Sequence, residues 1–166
     1  MTLPGFHEPR TVTIHVGDDG EGRLWHYHNS MNVKLWIETR SLTGILEHFS
    51  VKESKNEKAL KNPRALARLK GVLSVGVKDS SGYYRYSVNA GLDSVFFRTL
   101  LISLRAVEDL RSPLTIDPWL SIEKRVLTCS LVNPRNQWVY QGIRYGDDWE
   151  GLDYPQLVQE TLARFN

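Results

Sequence analysis

Residues 71–90 read GVLSVGVKDSSGYYRYSVNA. GVLSVGVKD has the composition of a strand, Ser80, Ser81 and Gly82 supply a turn, and YYRYSVNA reads as the returning strand, so the segment predicts a β-hairpin. Strands joined by a short turn pair antiparallel. The remaining elements arrange themselves around this hairpin. Strands come in adjacent pairs, and helices lie between pairs rather than after each strand, which argues for an α+β fold and against a doubly wound α/β fold.

Upstream, TVTIHV (11–16) and RLWHYH (23–28) predict two strands around the turn GDDGEG, and NVKLWIET (32–39) alternates as a third. SLTGILEHF (41–49) switches period: Leu42, Ile45, Leu46 and Phe49 fall at i, i+3, i+4 and i+7, which predicts a short helix capped by Ser41 and weakened by Gly44. Asn62 and Pro63 have the form of a second helix start, with Leu66, Leu69 and Leu73 on one face. Downstream, a helix over about 94–110 carries Val95, Phe96, Leu100, Leu101, Leu104 and Val107 as an apolar stripe and ends before Ser112-Pro113. IEKRVLTCSLV, the turn NPRN and QWVYQGIRY form a second hairpin candidate. Tyr154-Pro155 opens a last helix with Leu157, Val158, Leu162 and Phe165 on one side. The expected order is β-β-β-α-α-β-β-α-β-β-α: an antiparallel-rich sheet of hairpin-paired strands with about four helices, packed in layers as a single domain over residues 1–166.

The chain has 166 residues, room for a real core. Its single cysteine, Cys129, rules out an internal disulfide framework and a cysteine-based zinc cluster. That suits a reducing, cytoplasmic compartment. MTLPGFHEPR shows no signal-peptide pattern, and no apolar run reaches the ~20 residues of a membrane span. Any membrane contact is therefore expected to be peripheral, at the inner face of a membrane or within a virion.

Charge is the main functional handle. The net charge is +2, yet residues 51–71 (VKESKNEKALKNPRALARLKG) carry seven bases (Lys52, Lys55, Lys58, Lys61, Arg64, Arg68, Lys70) against Glu53 and Glu57. From Tyr145 onward five acids face one base. The spread of the basic residues fits a broad anionic surface, phosphate backbone or acidic lipid, better than one small ligand. The competing reading is a solvated face, part of it a mobile loop over 51–62 with few large apolar residues. The stretch does not interleave aromatics with its bases as a single-strand platform does. A positive middle and a negative tail also permit head-to-tail self-association.

Other chemistry has weaker support. If GDDGEG sets Val16 opposite Arg23, then His15, His26 and His28 share the solvent face of the first hairpin. Three imidazoles there are a candidate zinc site with an open position. The competing reading, a polar row opposite a core face of Val12, Ile14, Val16, Trp25 and Tyr27, is the better one. Cys129 alternates with Leu127 and Leu131 as a small core residue. GDDGEG and GDDWEGLDY do not match a calcium loop. The second acidic segment offers Asp147, Asp148, Trp149 and Tyr154 as a protein contact. No phosphate-loop, dinucleotide, zincin or nucleophile-elbow motif occurs. The expectation is a non-enzyme with no cofactor and no small-molecule substrate.

NVKLWIE, the segment around TGILEHF, the basic stretch, NPRALARLKGVLSVGVKD and later RSPLTIDPWLSIEKRVLTCSLV resemble, in order and pattern, the core of rhabdovirus-type matrix proteins over about residues 33–132. A basic disordered N-terminal arm and a P-P-x-Y motif are missing. The resemblance implies a non-enzymatic assembly protein that self-associates and bridges a nucleoprotein to a membrane. The alternatives are an RNA-binding regulator, such as a defence suppressor, and a small inhibitory module that binds one protein.

Overall fold

A computed structural model describes residues 10–121, 126–139 and 151–165. The fold is α+β. Eight strands form one curled sheet in the order β3-β2-β1-β6-β5-β4-β7-β8. They are β1 (Arg10–Val16), β2 (Trp25–His28), β3 (Lys34–Ile37), β4 (Leu42–Glu53), β5 (Leu69–Asp79), β6 (Gly82–Gly91), β7 (Leu114–Ser121) and β8 (Val126–Val132). The described helices are α1 (Glu57–Leu60), α2 (Val95–Arg105) and α3 (Tyr154–Phe165), with a 3-10 turn at Ala65–Arg68.

The central hairpin is β5–β6, paired from Lys70↔Gly91 to Asp79↔Gly82. The Asp79 carboxylate holds its turn by accepting from the Ser81 amide at 2.8 Å and the Ser81 hydroxyl at 2.6 Å. One pairing departs from the hairpin rule: β1 lies parallel to β6, from Arg10↔Tyr84 to His15↔Asn89. This non-local ladder attaches the β1–β2–β3 meander to the central hairpin.

SLTGILEHF is a strand, not a helix. Leu42, Gly44 and Leu46 point inward at period two, a bulge between Leu46 and His48 inserts one residue, and Phe49 and Val51 point inward again. Steps of two, two and three residues reproduce the i, i+4, i+7 spacing of a helix. Gly44 fits the strand, since a Cβ there would lie 2.5 Å from the Gly76 carbonyl oxygen. The helix expected after Asn62-Pro63 is reduced to the 3-10 turn, and Leu69 and Leu73 already belong to β5.

The hairpin partner of β8 is β7, paired from Thr115↔Val132 to Ser121↔Val126. QWVYQGIRY contributes one bridge, Val132↔Trp138, and its part from Tyr140 onward lies outside the described residues. Pro118 hides β7 in the sequence, because proline is rare inside strands. Opposite it, the Cys129 amide donates to Thr99 Oγ1 of α2 at 2.8 Å.

Helix α2 is the centre of the core. Ser94 caps it, accepting from the Phe97 amide. Phe96, Phe97, Leu100, Leu101, Ile102 and Leu104 are all buried. Phe97 lies on the bare backbone of Gly71, where a Cβ would come within 2.8 Å of the ring. The helix is shorter than its apolar stripe, ending at Arg105, while Val107 stays buried beyond it. Arg164 of α3 donates to the Leu104 carbonyl at 2.7 Å and to the Val107 carbonyl, placing positive charge at the negative end of α2. Among the described residues no helix is long and apolar enough to cross a membrane.

Candidate anion-binding surface

Alternation along the sheet divides its residues between two faces. Leu73, Val75, Val88 and Ile14 point to the helices and are buried. The opposite face carries Lys70, Ser74 and Lys78 of β5, Arg85, Ser87 and Asn89 of β6, and Ser50 and Lys52 of β4. Gly76 leaves room on that face for Glu47, which accepts from the Tyr83 hydroxyl and pairs with Arg85 at 3.6 Å.

Lys52 and Lys70 are direct cross-strand partners on this face. Like charges directly opposite destabilise a sheet, and among the described residues no carboxylate forms an ion pair with either lysine. From this pair the chain makes an excursion closed at its neck by the Ser54 amide donating to the Arg68 carbonyl at 3.0 Å. Side-chain turns shape it: Asn56 caps α1 by accepting from the Lys58 amide at 2.9 Å, and Asn62 Oδ1 accepts from the Arg64 amide at 2.9 Å. Val51–Glu53 of the expected loop are strand, and the rest has this local order in place of an apolar core. Lys55, Lys58, Lys61 and Arg68 are exposed along the excursion. Arg64 is not available in the same way, because it pairs with Asp93 ahead of α2, which also pairs with Arg98 of the helix.

The histidines share the same face through a different register from the expected one. Val16 pairs with Trp25 and His15 with His26. The intervening loop takes two more residues than a tight count allows. Its ends join through the Gly17 amide and the Leu24 carbonyl at 2.9 Å, and Asp19 accepts from the Glu21 and Arg23 amides. A shift of two preserves faces, so the side assignment survives the register error. His15 stacks on His26 with ring centroids 5.2 Å apart, His26 lies 5.0 Å from Trp36, and His28 meets both other histidines edge-on. Lys34 sits 4.9 Å over the Trp36 ring. Burial, with Lys34 and the other two histidines, pushes the His26 imidazole down to about 4. His15 is lowered by burial and then by His28, Lys70 and Lys34. Both His15 and His26 are thus biased toward the neutral imidazole, with Lys34 and, at His15, Lys70 contributing. Stacked rings do not converge their nitrogens, and among the described residues no group of three or more His, Cys, Asp or Glu is placed to hold a metal.

Two other sequence candidates resolve differently. Tyr154 is not an interface residue. It is buried, donates its hydroxyl to the Leu92 carbonyl at 2.5 Å and lies under the Arg98 guanidinium at 4.2 Å. Asp147, Asp148 and Trp149 lie outside the described residues. Cys129 is fully buried, and burial, followed by the charge of Asp117, raises its thiol pKa. Sequence reasoning missed Trp36, Lys34 and Tyr83 as companions of the basic stretch, because strands distant in sequence bring them to one face.

Comparison of the chain with protein-family models, with curated proteins and with solved structures finds no match.

Proposed function

We propose that this protein is a non-enzymatic binding protein that holds an anionic polymer, foremost the phosphate backbone of RNA in a nucleoprotein, across the sheet face centred on Lys52 and Lys70. The unneutralised Lys52↔Lys70 pair carries the reading. It costs stability in the free protein and becomes favourable with a phosphate between the two ammonium groups. Around it, Lys55, Lys58, Lys61 and Arg68 extend the positive surface, and Lys34, Trp36 and the histidine stack supply a cationic and aromatic margin suited to bases and ribose. A mobility-shift titration of single-stranded RNA across salt tests this. Log affinity should fall linearly with log salt, by about 0.7 per phosphate contacted. No binding, or binding indifferent to salt, refutes it.

A second reading, an acidic membrane surface, is favoured by the tip of the excursion. Leu60 is 40% exposed and is flanked by Lys58 and Lys61, an apolar wedge with basic neighbours. Leu60→Glu should then abolish co-sedimentation with phosphatidylserine vesicles and leave RNA binding intact. Self-association belongs to both readings. It would use the open β3 edge, where Met31, Val33 and Leu35 are exposed. Light scattering at two salt concentrations measures it, and a monomer at both removes this part.

A further inference from the structure

Strand β1 takes part in two ladders of unequal length. Its parallel ladder with β6 runs from Arg10 to His15. Its antiparallel ladder with β2 holds just His15↔His26 and Val16↔Trp25, although β2 continues to His28 against β3. Past the histidine pair the two strands part, and among the described residues no strand lies between them. The opening is a cleft of about 820 Å3, a size that suits a bound ligand.

Among the described residues Thr11–Ile14 is therefore an edge without a partner strand on its β2 side, inside a sheet. Natural edges are blunted by lysine, proline, a bulge or a cover. Among the described residues this one has none of them: Thr11, Val12, Thr13 and Ile14 are all β-branched, the residues best suited to accept another strand. At ~3.3 Å per residue these four positions offer roughly 13 Å of main chain. The two sides of the cleft differ in chemistry. Tyr27, Ile37, Tyr84 and Tyr86 line it on the helix side, and His15 and His28 on the solvent side. The solvent side lies in the positive field of Lys34 and Lys70.

We propose that this cleft receives an extended peptide of a partner protein, inserted as a strand between β1 and β2, with apolar side chains toward the tyrosines alternating with acidic side chains toward His15 and His28. Main-chain hydrogen bonds to Thr11–Ile14 supply affinity, and the two unlike walls supply register and specificity. An acidic residue directed at the histidines gains from the neighbouring lysines, and a basic one is repelled.

The test uses the full chain and a capped heptapeptide of alternating valine and glutamate. Amide hydrogen exchange, read residue by residue, should slow about tenfold or more at the β2-facing amides of Thr11–Ile14 when the peptide is added. A peptide N-methylated on alternate amides should not bind. A valine–lysine peptide should bind at least about tenfold more weakly, and His28→Glu, a change at an exposed position, should narrow that difference. Three results overturn the proposal: protection confined to the outer edge of β3, equal binding of the N-methylated peptide, or amides of Thr11–Ile14 that become protected with rising protein concentration in the absence of peptide. The last assigns the cleft to a second copy of this chain.

Discussion

Lys70→Glu should stabilise the fold and weaken RNA binding at the same time. Lys70 and Lys52 face each other across β4 and β5. A like-charged cross-strand pair costs about 0.2–1 kcal/mol and an opposite-charged one contributes about as much, so the exchange is worth roughly 0.5–2 kcal/mol. At about 2–4 °C per kcal/mol for a chain of this size, the melting temperature should rise by roughly 1–8 °C. For RNA the same change removes one phosphate contact and adds a repulsion. The salt slope should flatten by about 0.7, and affinity at low salt should drop about tenfold or more. The double variant Lys52→Glu with Lys70→Glu restores a like-charged pair. It should return stability to near the parent value while binding falls further. Thermal unfolding and mobility shift on the parent, Lys52→Glu, Lys70→Glu and the double variant form the cycle. If Lys70→Glu lowers stability, the two side chains do not face each other in solution. If it raises stability and leaves RNA affinity unchanged, the lysine pair is not a binding site.

Acidification should cost stability. The His26 and His15 imidazoles are lowered from 6.5, so the unfolded chain takes up their protons first. Their contribution is complete above pH 6.5 and is lost as pH falls toward the folded value of about 4 for His26. Urea unfolding at pH 7.5, 6 and 5 reads this loss, and His26→Phe should flatten it. Thr99→Val removes the acceptor of the buried Cys129 amide and should cost about 1–3 kcal/mol in the same assay, with Thr99→Ser close to parent. Gly71→Ala places a methyl group against the Phe97 ring and should cost about 1–3 kcal/mol by overpacking; a neutral result would mean that α2 can shift away from β5.

What the amino-acid sequence determined by itself is local. The β5–β6 hairpin and its turn, the Ser94 cap of α2, the start of α3 at Tyr154-Pro155 and the burial of Cys129 between leucines all follow from neighbours within a few residues. The two faces of the first hairpin were legible for the same reason, since alternation survives a register slip of two. Tertiary structure alone decided the rest. The β4 bulge turns a strand into an apparent helical pattern, because periodicity counts residues and cannot see one looped out of a ladder. Strand β7 stands despite Pro118 because it pairs with β8 on both sides of the proline, from Thr115↔Val132 to Ser121↔Val126. The parallel β1–β6 ladder joins segments far apart in the chain. That junction brings His15, His26, Trp36 and Lys34 to the same face as Lys52 and Lys70, and it leaves the cleft beside β1. No local pattern encodes such a meeting, because its free energy comes from burying Ile14, Trp25 and Val88 together on the other side of the sheet.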